Sequence, residues 1–340
     1  MTGFALVIAG AAVLGILLML LMKKKTGIKT RSAFLFGVLA VPLCILLGRA
    51  AFWLCSVSWI RNSGKSFWDL AGSGYTYMLY GAVLGGFTAA FLTAKISGES
   101  FGSVADAAAA PAALVIAAGR FAEYLVDAGF GSGIVEWFDP CEAWSMIAWE
   151  NPDAICRFPF GVQNYYGTWR FSINLWEGLA AVVFLTVLLT MKKRRTGGAA
   201  TLLMLMYASC QILFESMRKD EVIIWGFVKA NQLISALVVL SVLVFCWIRQ
   251  PKEQRTRMEL LIRTALLLLC AGIVMLMEFA LDQKIDFLMW MRADLSYMVM
   301  TACCACMLLT VLPAWRKAWP VQKVTEQGPD FPEIPAKTQR

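Results

Sequence analysis

Hydrophobic residues in this chain fall into long, nearly unbroken runs, not into the one-sided stripes of amphipathic helices. A helix that crosses lipid needs about 20 apolar residues, because the hydrocarbon core is about 30 Å thick and each helical residue rises 1.5 Å. Nine runs reach that length, at about 4–22, 33–56, 75–94, 108–127, 172–191, 199–217, 223–248, 259–281 and 290–312. They lack the alternation of a lipid-facing strand, so all nine are predicted to be helices of an all-α integral membrane protein. Phe4–Met22 alone imitates a secretory signal, but the repetition of such runs argues for spans instead.

The polar positions organise the spans. Basic clusters follow alternate runs: Lys23, Lys24, Lys25, Lys29 and Arg31 after the first, then Lys192, Lys193, Arg194 and Arg195 after the fifth. Arg249, Lys252, Arg255 and Arg257 follow the seventh, and Arg316, Lys317 and Lys323 the ninth, while Lys95 alone follows the third. By the positive-inside rule these loops are cytoplasmic, which puts the N-terminus outside and the C-terminus inside. Residues 128–171 are then the longest external segment, and Trp137, Trp144, Trp149 and Trp169 suit a headgroup-level belt. The stretch Arg249–Arg257 reads as a seam between a seven-span core, residues 1–248, and two appended spans within 249–317. Residues 318–340 are polar and read as a disordered cytoplasmic tail.

Composition agrees with the runs. The 340 residues are 59% hydrophobic and 16% charged, with a mean hydropathy of +0.65, against about 45–50% apolar and about 25% charged in soluble domains. The net charge of +8 sits beside the spans with no aromatic-interleaved patch, so no nucleic-acid partner is expected. There is no histidine, which removes the commonest metal ligand and the usual neutral-pH base. Cys303, Cys304 and Cys306 share a predicted helix, where such close spacing cannot converge on one tetrahedral metal; no metal or cofactor is expected. Cys141 and Cys156 lie in the external segment, where a disulfide closing their loop would contribute roughly 3 kcal/mol. Two free thiols are the alternative.

Ionisable residues inside spans carry the most information, since each costs about 2.5–3.5 kcal/mol at the membrane centre on insertion scales. Arg49 lies in LLGRAAFW; Arg120, Glu123 and Asp127 in GRFAEYLVDAGFG; Glu177 in NLWEG; Glu215 and Arg218 in FESMR; Lys229 and Gln232 in KANQLIS. Glu278, Asp282, Arg292 and Asp294 belong to the appended pair. Arg120, Glu123 and Asp127 are spaced i, i+3, i+7 and Glu215 and Arg218 i, i+3, which predicts two charged helical faces. Turned inward, they would form a polar chamber toward the outer surface. The structural alternative is pairing that pins helices, or snorkelling to the interface, which suits Arg292 and Asp294 best. The alanine-rich run Ala105–Ala110, broken by Asp106, predicts close helix packing.

Five segments, in order, resemble the prolipoprotein diacylglyceryl transferase family. LLGRAAFW is similar to the family's Gly-Ala-Arg-Leu-Gly-Tyr, and YGAVLGGFTAA to Gly-Met-Ser-Phe-His-Gly-Gly. DAAAAPAALVIAAGRFAEYLVDAGFG resembles its Asp-x-x-x-x-Pro lead-in and the signature G-R-x-G-N-F-x-N-x-E-x-x-G. SINLWEGLAAVV resembles Pro-x-Gln-Leu-Tyr-Glu, and QILFESMRKDEV with ANQLISALVV resembles R-F-x-x-E-x-x-R-x-P-D followed by Gly-Gln-Leu-Leu-Ser. The likeness covers roughly residues 33–248. Gly119, Arg120, Gly131, Glu177, Glu215 and Arg218 match. Departures fall at Glu123, Val126 and Ala128 for the signature's two asparagines and glutamate, at Leu84 for a histidine, and at Gln211 for an arginine.

The resemblance implies a divergent membrane transferase of the bacterial plasma membrane, moving diacylglycerol from phosphatidylglycerol to a prolipoprotein cysteine. Its implied partners are a phosphatidylglycerol-like phospholipid and a prolipoprotein signal peptide. Such chemistry needs a cationic clamp, for which Arg120 and Arg218 stand, and a base, for which Glu123 or Glu215 stands. Arg49, Asp127, Glu177, Gly119 and Gly131 would support them. The departures leave open a member that has lost catalysis and binds lipid or a partner. A solute transporter is disfavoured by the lack of an inverted repeat.

Overall fold

The computed structural model describes residues 2–56, 77–131, 157–163, 165, 167, 169–192, 194–218, 224–225, 228–282, 284–288, 290–291 and 293–321. Nine α-helices run through them: α1 Thr2–Thr26, α2 Thr30–Cys55, α3 Leu79–Ser97, α4 Phe101–Ala122, α5 Ile173–Thr190, α6 Gly198–Met217, α7 Ala230–Arg249, α8 Arg257–Leu281 and α9 Ala293–Ala318. Each is long and apolar enough to cross a membrane. The chain is an integral membrane protein of nine spans among the described residues. Two short antiparallel strand pairs, Gly161–Gln163 with Trp169–Phe171 and Ile224–Trp225 with Val228–Lys229, add a β element that hydropathy did not predict.

Small residues set the helix packing, as expected where lipid removes the hydrophobic drive between helices. On α3, Gly81 and Gly85 are spaced i, i+4; a Cβ at Gly85 would lie 2.6 Å from the Cys44 Cα on α2. The alanine run of α4 is buried, and Pro111 on the same helix lies against Gly15 of α1. Where α4 crosses α5, the Phe121 ring occupies the place of a Gly178 side chain. A single apolar core joins α4–α7 to α8 and α9, so the appended helices are built into the bundle.

Several boundaries differ from the hydropathy reading. Helix α4 starts at Phe101, seven residues before the predicted 108; hydropathy counts Asp106 against the span, but its carboxylate accepts from amides inside the protein. Ser100 caps that start, its Oγ accepting from the Ser103 amide at 3.1 Å. The seventh span begins at Ala230, and the residues just before it form the second strand pair. Helix α9 continues to Ala318, and Trp319, assigned to the tail, is fully buried. Residues 322–340 of that tail, most of the Trp-rich segment, Arg292, and the Cys141–Cys156 pair lie outside the described residues.

Candidate functional site

Four charged side chains meet where α4, α5 and α6 come together. Arg120, in the last turn of α4, is buried at 8% exposure. Its Nη1 donates to Glu123 Oε1 at 2.5 Å, and its Nε pairs with Glu177 Oε2. Arg218 approaches the same two acids from the end of α6: Nη2 lies 3.3 Å from Glu123 Oε2, and Nη1 lies 3.3 Å from Glu177 Oε2. Two guanidiniums therefore alternate with two carboxylates in a closed ring of ion pairs. Burying such groups is expensive unless each is paired, and here each is.

Local backbone explains the ring. After Ala122 the chain tightens to a 3-10 turn, Glu123–Val126, and Asp127 takes a left-handed conformation with φ 55°. Gly129, at φ 80°, brings its backbone so close to Glu123 Oε2 that a Cβ would overlap it. The Gly129 carbonyl accepts from the Asn174 amide at 2.8 Å, and the Gly131 amide donates to Phe171 O at 2.9 Å. A Cβ at Gly131 would meet Ile173 and Phe171 side chains at 3.0 Å, so this glycine packs the loop on the start of α5. Gly119 sits lower, with Ile8 3.4 Å from where its Cβ would be.

The other expected site residues divide. Glu177 is central. Asp127 is exposed and outside the ring, its Oδ1 accepting from the Tyr165 amide at 3.1 Å. The i+7 spacing fails because the α-helix ends before Asp127 is reached. Arg49 lies over the Tyr77 ring, 5.2 Å from its centroid. Glu215 is buried but turned aside: Oε2 accepts from Gln211 Nε2 at 3.1 Å and Oε1 from Asn231 Nδ2 at 3.0 Å. Its i, i+3 partner Arg218 has left the helix, in extended conformation at φ −72°, ψ 140°. Lys229 closes that end, donating to the Glu215 and Ser216 carbonyls at 3.0 and 2.9 Å. Leu84 is 58% exposed.

Two tyrosines not singled out from the sequence extend the site inward. Tyr207 on α6 is buried. Its ring meets Tyr80 edge-on at 6.0 Å, and Tyr80 shares a 2.6 Å hydrogen bond with Ser235. The period of Tyr207 on α6, four residues before Gln211, placed it on the Gln211 face. Among the described residues no cluster of His, Cys, Asp or Glu is arranged to hold a metal.

The same segments carry the likeness to known proteins. The family model for prolipoprotein diacylglyceryl transferase matches residues 1–248, reaching further N-terminal than the motifs do. The chain is 22% identical over 249 residues to the phosphatidylglycerol–prolipoprotein diacylglyceryl transferase of Bacillus velezensis, covering 73% of this chain and 88% of that protein. To the protein of that name from Shouchella clausii it is 25% identical over 220 residues, covering 63% and 76%. With that from Listeria monocytogenes serotype 4b it shares 23% identity over 257 residues, covering 75% and 88%. With its nine spans, its charged helix junction and a family match over residues 1–248, the chain belongs to the prolipoprotein diacylglyceryl transferase family.

Proposed function

We propose that this protein transfers a diacylglyceryl group from phosphatidylglycerol to the cysteine thiol of a prolipoprotein. Supporting it is one observation above the rest: Arg120 and Arg218 converge on a single buried point held by exchangeable side chains. The substrate phosphate enters there, taking guanidinium edges now held by Glu123 and Glu177; planar guanidinium binds phosphate bidentately. The thiol loses its proton to a base, and the thiolate attacks the glyceryl carbon next to the phosphate oxygen. An S–C bond forms as that C–O bond breaks, and glycerol phosphate leaves carrying the electron pair. Glu215 fits the base better than Glu123, because only neutral amides donate to its carboxylate while Glu123 is held by both arginines. The basic loops support a reading with the N-terminus outside and the charged junction in the outer half of the membrane, where a secreted lipoprotein precursor presents its cysteine.

A second reading rests on the departures. At six positions of those motifs, four matched and two departing, the family pattern has three arginines and two glutamates, whereas Arg120, Glu123, Glu177, Gln211, Glu215 and Arg218 set three carboxylates against two guanidiniums. A junction with that balance attracts phosphate less, which favours a lipid-binding protein without turnover. Purified protein incubated with phosphatidylglycerol and a lipobox peptide separates the two. Glycerol phosphate release above a no-protein control supports the transferase. No release, with co-purified phospholipid that Arg120→Ala removes, establishes the second reading.

A further inference from the structure

At the opposite end of α4, Asp106 lies about 21 Å along the helix from Arg120 at 1.5 Å per residue. A groove of about 240 Å³ opens there between the ends of α1, α4 and α5 and the turn before α6. Lys25 and Arg194 line it with the hydroxyl residues Ser103 and Thr196, and Met22 and Leu188 form an apolar side. Both cations are fixed without an acid. Lys25 Nζ donates to the Leu188 and Leu189 carbonyls at 3.3 and 3.1 Å, groups left over at the end of α5. The Arg194 guanidinium lies 4.6 Å from the centroid of the Trp315 ring and donates to the Trp319 carbonyl.

The one acid in the groove is already committed. Asp106 accepts from the Gly197 and Ala200 amides at 2.7 and 3.0 Å, closing the start of α6. Among the described residues, no carboxylate pairs with Lys25 or Arg194. Burial first, and the neighbouring Arg316 charge second, hold the Arg194 pKa below its usual value, and a bound anion would offset the repulsion between the two cations. Next in sequence to Met22 and Leu188, Leu21 and Leu189 are exposed.

We propose that this groove binds the phosphate of an anionic phospholipid, at a site separate from the charged junction. Basic pockets between helices at a membrane surface are suited to such headgroups. Here two fixed cations supply the charge, hydroxyls the hydrogen bonds, and the apolar side receives the first carbons of the chains.

Native mass spectrometry of the whole protein in detergent, titrated with dioleoyl phosphatidylglycerol or dioleoyl phosphatidylcholine, tests this. The wild type should retain a phosphatidylglycerol that the Lys25→Gln/Arg194→Gln variant loses. Lys24→Gln/Arg195→Gln removes the same charge from exposed positions nearby and should retain it. Thr196→Trp, which narrows the groove without changing charge, should lose it even if the double variant folds poorly. Equal loss in both double variants would reduce the effect to diffuse surface attraction and overturn the site. So would retention in all variants, or equal retention of phosphatidylcholine. Displacement by millimolar inorganic phosphate would assign the site to a free anion and overturn the lipid reading.

Discussion

Helix α4 carries charge at both ends, partly buried at Asp106 and buried at Arg120, and the two ends settle it differently. Near its start, Asp106 is matched by backbone amides of the turn that begins α6. Near its finish, Arg120 is matched by the side chains of Glu123 and Glu177, which Arg218 also holds. Backbone amides cannot move without unravelling a helix end, so the first arrangement is structural. Side-chain carboxylates change rotamer at modest cost, so the second is the one proposed above to open for an incoming anion. A buried charge therefore points to function when its counter-charge is itself replaceable.

The sharpest way to break that comparison is Arg120→Met. It leaves Glu177, 4% exposed, with Arg218 alone, and breaking a buried pair costs about 3–5 kcal/mol. Thermal unfolding in detergent should show that loss, and Arg120→Met/Glu177→Leu should recover most of it without recovering turnover. Next comes Arg120→Lys, which keeps charge but cannot reach Glu123 and Glu177 together. Its transition-state loss should approach the 2.7–4 kcal/mol typical of a missing oxyanion donor, about 10²–10³ in turnover, with little change in unfolding. Gly178→Ala pushes a methyl into the Phe121 ring and should cost about 1–3 kcal/mol in the same unfolding assay. Asp106→Asn keeps an acceptor for the α6 amides and loses the charge, so a loss of about 1 kcal/mol with turnover intact is expected. Asp127→Asn, exposed and outside the ring, should change turnover less than twofold. If Asp106→Asn abolished turnover while Arg120→Lys did not, the distinction between the two ends would fail.

Much of this was legible in the residues, and what was not has local physical causes. Nine spans follow from run length, because lipid fixes how many apolar residues a helix must supply. Arg120, Glu123, Glu177 and Arg218 stood out because a membrane penalises them individually. The Arg120–Glu123 pair followed from i, i+3 spacing, but the other pairings did not. Face arguments assume a continuous α-helix, and here α4 tightens into a 3-10 turn while α6 stops just before Arg218. Those two endings throw Asp127 outward and carry Arg218 away from Glu215 to the acids of neighbouring helices. The start of α4 was missed for a related reason. Hydropathy treats Asp106 as solvent-seeking, but its partners come from residues 197–200, far along the chain. Trp319 reads as interfacial by type, yet its indole packs on Phe245, 5.6 Å between ring centroids, and donates to the Thr196 carbonyl at 3.1 Å.

The pair between Arg120 and Glu123 also bears on biogenesis. Spans enter the membrane in chain order, and when α4 arrives, neither Glu177 nor Arg218 has joined it there. Arg120 nevertheless has a counter-charge three residues away, at 2.5 Å in the finished protein. An arginine that travels with its own acid sheds part of the insertion penalty before any neighbour is present. In a chain with asparagine at that position, the arginine would enter alone. Glu123 thus gives the nascent span a neutral passenger pair, whatever it later contributes to chemistry at the assembled junction.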